Sequence, residues 1–347
     1  MPIPSGLTLR CAQTVALAGL VVACAAPSAP TVTTPGSPSP GSTPSASIVS
    51  PTPQPGTSTP TAAASPSAAA AQRIEIPGGP LGLDVADGHA WVVATDAGRL
   101  VDVDLASGTT TSMDIGPSVN WVKVLDGRLV VSRYGTAPGR GMLEIVDPAD
   151  GRATPVYEQP LDGLDVEGNT IWAFAKGGTV LQVDADGRIV RQVPVEIVQN
   201  EHIDLVGLGD AAFASSDSTP VRRVAGAPLA VVATIETGGG VPFVEDRGLV
   251  WGARGEELWV IDPAAGQVKH RFPLTDVDEI LDLDVEGDDA WIAVRHPGRI
   301  GAVLRVDLAT GNEVADVPAE LPAAVVIAGD RVWVTDYEAD ALLVFDR

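Results

Sequence analysis

The chain has 347 residues, with 45 acidic against 22 basic side chains, a formal charge of −23, 4% aromatic residues and two cysteines. So acidic a balance opposes binding to nucleic acid or to an anionic lipid surface, whose phosphates are met by Lys and Arg. Both cysteines, Cys11 and Cys24, lie near the start, so the remaining chain relies on a buried core instead of disulfides, and its length is sufficient for one.

Residues 1–23 combine one base, Arg10, with the apolar run AQTVALAGLVVA and no acid. That is a secretory signal by charge and length, too short for a spanning helix. It ends Val21-Val22-Ala23-Cys24, which resembles the lipobox of bacterial lipoproteins: a branched apolar residue, two smaller ones, then the cysteine that receives the lipid. The family usually has leucine where Val21 stands. The resemblance implies lipidation of Cys24, with Cys11 discarded in the signal; an ordinary cleaved secretion signal is the alternative. Residues 25–72 hold no charge and no aromatic ring, only Ala, Ser, Thr, Pro and Gly with a few Val, one Ile and two Gln. Such a stretch buries no core and reads as a tether, about 40 Å long on average from 5–6 Å × √n.

From residue 73 the chain repeats itself. The clearest copies are VADGHAWVVATDAGRLVDVDLASG, VEGNTIWAFAKGGTVLQVDADG, VEGDDAWIAVRHPGRIGAVLRVDLATG and IAGDRVWVTDYEADALLVFD. Trp91, Val130, Trp172, Phe213, Trp251, Trp291 and Trp333 mark seven copies at spacings of 39, 42, 41, 38, 40 and 42. Each copy divides into four short runs of Val, Leu, Ile and Trp separated by turn residues, and no long helical period competes. A period near forty with such contents predicts an all-β, seven-bladed β-propeller of four-stranded antiparallel blades over residues 73–347. This region carries every acid and all the bases but Arg10, a charge of −24.

The third run of most copies ends in an Asp-to-Gly turn: 104–108, 147–151, 184–187, 262–266 and 307–311. The aspartate accepts backbone NH groups two or three residues on and the glycine takes positive φ, so these acids read as turn builders, not metal ligands. The fourth copy lacks the Asp and is expected to be the least regular blade. The seventh copy stops after its third strand, while residues 73–77 precede the first inner strand in the place of an outer strand. They are expected to complete the last blade and close the ring, removing an exposed edge.

The final stretch, VDLATGNEVADVPAELPAAVVIAGDRVWVTDYEADALLVFD, resembles the YVTN-type repeat of YncE-like propellers through Asp307, Thr310, Gly311, Pro322, Gly329, Asp330 and residues 332–336. The resemblance covers 73–347, with Trp replacing Tyr in most copies. It implies the architecture and leaves activity open, since related propellers include quinoprotein dehydrogenases, streptogramin lyases and binding domains. Quinoprotein sites often have a vicinal disulfide, for which this region lacks cysteine. The lyases resemble repeats with Trp-Phe-Thr and a catalytic His; here no such tripeptide occurs, and His89, His202, His270 and His296 fall at unrelated repeat positions. Asp282, Asp284, Glu286 and Asp288 are similar to a calcium loop but lack its twelfth-position Glu, which is Ala293. No metal, cofactor or catalytic residue is assigned.

Ligands of propellers usually sit at the ring mouth, near the turns after the marker strand. Those turns carry Arg133 beside Tyr134, Lys176, Arg254, Arg295 beside His296, and Asp336 beside Tyr337. Four cations converging on the axis of an acidic body would focus an anionic small molecule or a protein segment, with tyrosines offering flat surfaces. Solvated turn charges paired with neighbouring acids are the plainer alternative. The inner strands place Asp84, Lys123, Asp165 and Asp284 seven residues before the marker, where Asp84 and Lys123 are expected to pair. The expectation is a monomeric, lipid-anchored, extracytoplasmic binding or scaffold module. A propeller enzyme with its site at the channel is the alternative.

Overall fold

The computed structural model describes residues 72–134, 142–198, 201–298 and 301–347. The signal, Cys24 and the tether up to residue 71 lie outside the described residues. The described chain is all β: seven four-stranded antiparallel sheets, each made of strands consecutive in sequence except the last. Their first strands are Pro80–Ala86, Val119–Leu125, Leu161–Glu167, Ile203–Leu208, Phe243–Asp246, Glu279–Glu286 and Pro322–Ala328. Each lies beside the first strand of the next sheet, and the seventh returns to the first, so seven blades stand in a closed ring around an axis lined by these strands.

Closure follows the predicted route. Gln72–Glu75 pairs antiparallel with the chain's last strand, Ala341–Asp346, in the register Gln72 to Val344 through Glu75 to Ala341. The junction is fastened further by Asp340, whose Oδ1 accepts the NH groups of Gly78 and Gly79, both at 2.9 Å. The turn aspartates also act as expected. Asp104 Oδ1 accepts the NH of Ser107 at 2.7 Å, and Asp147, Asp184, Asp262 and Asp307 accept NH groups two residues on at 2.9–3.0 Å. The fourth blade still forms four strands, although its second and third strands are paired over only three residues, Ala212–Ala214.

The core is divided into seven apolar clusters, one at each junction between blades. The repeat's marker explains them. Trp91 packs among blade 2 residues, Trp172 among blade 4 residues, Trp251 against blade 6, Trp291 against blade 7 and Trp333 against blade 1. Each marker thus faces the following blade, as a wedge between two sheets. Blade 2 has the smaller Val130 there, and the partly buried Trp121 joins that cluster; in blade 4 Phe213 shares its cluster with Trp259.

The wedge needs a matching gap. A Cβ added to Gly207 on the inner strand of blade 4 would fall 2.5 Å from Cδ1 of Trp172, so only glycine admits the indole. Trp172→Ala empties a site with no solvent exposure and is expected to cost about 3–5 kcal/mol. Gly207→Ala overpacks the same contact and is expected to cost about 1–3 kcal/mol. Urea unfolding of both single variants checks this, and a double variant close to Trp172→Ala alone would show that they share one contact.

Candidate functional site

An inner strand has one hydrogen-bonded neighbour, so its other edge faces the axis with unpaired NH groups. Carboxylates of the preceding blade reach across to these groups. Asp84 Oδ2 accepts the NH of Val124 at 2.6 Å, Asp165 that of Gly207 at 2.8 Å, and Asp204 that of Phe243 at 2.9 Å. Asp282 and Asp284 hold Val325 and Ile327 at 2.8 and 2.7 Å, and Asp246 holds Gly287 at 3.2 Å. Between blades 2 and 3 an ion pair stands in, with Lys123 Nζ 3.7 Å from Asp165 Oδ1. Between blades 7 and 1, Thr335 Oγ1 donates to the carbonyl of Leu81 at 2.9 Å. Every junction therefore has a polar fastening beside its apolar wedge.

These groups set the electrostatics of the axis. Burial raises the carboxyls of Asp84 and Asp204 above the usual range and pushes Asp284 up to about 6 and Asp282 up to about 7. Burial works against the Lys123 ammonium, but Asp165, Asp84, Asp282 and Asp284 together more than compensate and raise its pKa. Because Asp282 and Asp284 belong to blade 6 and Lys123 to blade 2, the channel is narrow enough for one cation to feel carboxylates on its far side. Lys123 makes its close ion pair with Asp165, while the expected partner Asp84 attracts it from farther off and has its Oδ2 on the NH of Val124. The sequence does not single out Asp204, and it shows Asp282 only within the run similar to a calcium loop, not as an inner-strand fastening. They stand two residues earlier on the strand, on the same face, and the period-two rule applied to Asp284 would have found them. Asp282 and Asp284 lie in a strand and not in a cation loop, and among the described residues no group of three metal-ligating side chains converges.

The predicted mouth residues separate into internal and outward groups. Arg133 is fully buried: its guanidinium lies 2.8 Å from Glu144 Oε2 and donates to the carbonyls of Ile115 at 2.5 Å and Pro117 at 2.7 Å. The marker strand of blade 2 runs through to Arg133, so the side chain turns into the junction with blade 1 and clamps the chain between the blades. Asp336 is buried as well, accepting the NH groups of Glu320 and Leu321, both at 2.9 Å. His296 is buried with Nδ1 2.5 Å from the carbonyl oxygen of Asp276 and Nε2 3.5 Å from Asp316. Arg295 is half-exposed and pairs with Glu279 at 2.5 Å. Arg254 donates to the carbonyl of Gly238, and Lys176 is exposed.

The four cations are therefore not brought together as a free anion-binding ring: one is internal and one is neutralised by its partner. The remaining group joins three blades. Tyr337 of blade 7 donates its hydroxyl to Asp96 of blade 1 at 2.9 Å, and the half-exposed Tyr134 of blade 2 lies near enough to influence it. Burial, then the Asp96 carboxylate, push the Tyr337 hydroxyl up to about 12, so it stays a donor. Gly79 passes beneath them at φ 69°, where a Cβ would lie 2.7 Å from the Tyr337 ring and 3.0 Å from Asp96. This is an anionic, aromatic corner of the rim beside an acidic channel.

No protein-family model and no curated protein matches the chain. Solved structures do. A chain in a crystal structure of the mitotic checkpoint complex superposes with a TM-score of 0.65 at 10% identity, covering 87% of this chain and 99% of that one. The computationally designed Ika8 protein gives 0.59 at 13% identity, with 79% and 99% covered. At such identities the likeness shows the fold alone: the protein is a seven-bladed β-propeller, an architecture common among binding and scaffold modules.

The buried carboxyls give the fold a pH dependence. A carboxyl whose pKa rises on folding holds its proton more tightly folded than unfolded. Its contribution is fully present below about pH 4 and is lost as pH rises through its folded pKa, here 6 to 7 for Asp284 and Asp282. Between pH 5 and 8, above the range of ordinary carboxylates, stability should fall with a slope of up to about 1.4 kcal/mol per pH unit for each group. Asp282→Asn keeps an oxygen for the Val325 NH and removes one titration. Urea midpoints across this range should therefore fall less steeply in the variant, and an unchanged slope would refute the assignment.

Proposed function

We propose that this propeller is a binding module, held at the outer side of a cell membrane by lipid on Cys24, and that its rim receives a basic segment of a protein partner. The observation that carries the reading is the charge of the axis and its rim. Asp84, Asp165, Asp282 and Asp284 all act on Lys123, and Tyr337, Asp96 and Tyr134 stand together at the rim. An ammonium or guanidinium gains there from carboxylates in a poorly solvated channel and from tyrosine faces. An anionic ligand would meet the same carboxylates as repulsion, and two of the four cations expected to attract it are already engaged. The acidic charge of −24 over residues 73–347 keeps the domain off anionic lipid headgroups, and the uncharged stretch 25–72 is the proposed tether.

Labelled tetralysine and tetraglutamate peptides titrated by fluorescence anisotropy test the rim. Tetralysine should bind and weaken at high salt, and Asp96→Asn with Tyr337→Phe should weaken it about tenfold. Preferential binding of tetraglutamate would overturn the reading. The anchor is tested separately: Cys24→Ser should move the protein from the membrane fraction to the soluble one and abolish incorporation of labelled fatty acid.

A further inference from the structure

A second surface stands on the outer side of blades 3 and 4, away from the axis. Of the six exposed large hydrophobic residues among the described ones, Ile189, Val190, Val231 and Val232 are here, and Val198 lies in the connection between the two blades. Ile189 and Val190 belong to the outer strand Ile189–Pro194 of blade 3, and Val231 and Val232 to the outer strand Ala230–Ile235 of blade 4.

Outer strands are free edges, and six of the seven are guarded. Thr110–Asp114 carries Asp114, Ala153–Tyr157 carries Pro155, and Ile189–Pro194 carries Arg191 and Pro194. Gln267–Pro273 carries Lys269 and Arg271, Asn312–Ala319 carries Glu313 and Pro318, and Gln72–Glu75 carries Arg73 and Glu75. Charge and proline are the usual devices against pairing with another chain. Ala230–Ile235, reading AVVATI, has neither.

The third and outer strands of blade 4 carry two bases and no acid in an acidic protein. No acid occurs from residue 218 through 235, while Arg222 and Arg223 do. Arg222 lies along the unguarded strand, donating to Thr234 Oγ1 at 2.8 Å and to the carbonyl of Glu196 at 3.4 Å, and its five-donor fork has capacity left. Arg191 of blade 3 reaches over to the carbonyl of Gly226 at 2.7 Å. Beside Arg222 a cleft of about 740 Å³ opens between the two blades, walled by Pro194, Val195, Ile197, Val198 and Pro220, with Glu196 as its one acid and Arg222 as its one base.

From the unguarded edge, its arginines and the cleft, we infer that Ala230–Ile235 is a docking edge for an extended acidic segment of a partner protein. The segment adds as a fifth strand to blade 4, sets a carboxylate on Arg222 and an apolar side chain in the cleft. Main-chain pairing supplies affinity and the cleft selects the side chain. A second copy of this chain is the wrong occupant, because its arginines would meet their like and two strongly acidic bodies repel. Of the cleft's own residues only Glu196 opposes an acidic segment, and carboxylates farther away than about 8–10 Å are screened.

The test uses the intact domain with its tether and two labelled peptides, acetyl-TVEVEVT-amide and acetyl-TVKVKVT-amide. The glutamate peptide should bind at least tenfold tighter than the lysine peptide. Val232→Glu and Arg222→Gln should each weaken it at least fivefold without moving the thermal midpoint, and Tyr337→Ala at the rim should leave it unchanged. The inference is overturned by equal binding of both peptides, by insensitivity to Val232→Glu and Arg222→Gln, or by loss through Tyr337→Ala. It is likewise overturned by a concentration-dependent dimer that Val232→Glu abolishes, or by adsorption to phosphatidylglycerol vesicles through these residues. The rim proposal stands or falls independently on tetralysine.

Discussion

The structure depends on how seven inner strands dispose of a sheet edge that has no strand to pair with. A closed ring of blades removes edges only at its seam; along the axis each first strand still presents backbone NH groups to the channel. A short carboxylate one blade back is the answer at most junctions, as with Asp84 on Val124 and Asp165 on Gly207. The fastening works only between blades, so it links neighbours and defines their spacing. It also brings acids into a poorly solvated space, which raises Asp282 and Asp284 toward neutrality and leaves Lys123 as their shared counter-charge. Cohesion and channel chemistry are thus one set of atoms.

The apolar half of each junction obeys the same logic. A blade's marker side chain faces forward into the following blade, so each repeat is incomplete without its successor and the last needs the first. That is why the aromatic recurs so regularly, and why a glycine such as Gly207 lies opposite it. Where the wedge is small, as at Val130, the neighbouring Trp121 makes up volume. The proposed functions fall where side chains are still exposed after wedging and fastening: the corner where Tyr337 bonds Asp96 across the seam, and the outer strand of blade 4.

Legibility followed the range of the interactions concerned. Turn aspartates bind backbone two residues away, so a five-residue motif reveals them. The closing strand was readable because a missing fourth run and a surplus run imply each other. The mouth was not readable in the same way. Arg133 and Arg254 occupy equivalent repeat positions, yet one is sealed against Glu144 and the other reaches outward to Gly238. The difference lies in which side chain stands on the adjacent strand and how the preceding blade's connection runs, neither of which is encoded beside the arginine.

By itself the sequence determined the period, the number of blades, the strand content, the turns and the seam, because these rest on local conformational preference and on repetition. Tertiary structure alone decided which charges are free. Whether a carboxylate caps a neighbour's backbone, as Asp282 does, or an arginine is consumed inside a junction, depends on contacts between residues some forty positions apart. The unguarded strand Ala230–Ile235 lies between the two cases. Its lack of charge is plain in the sequence, but only the ring shows that it is an outer edge with arginines and a cleft beside it.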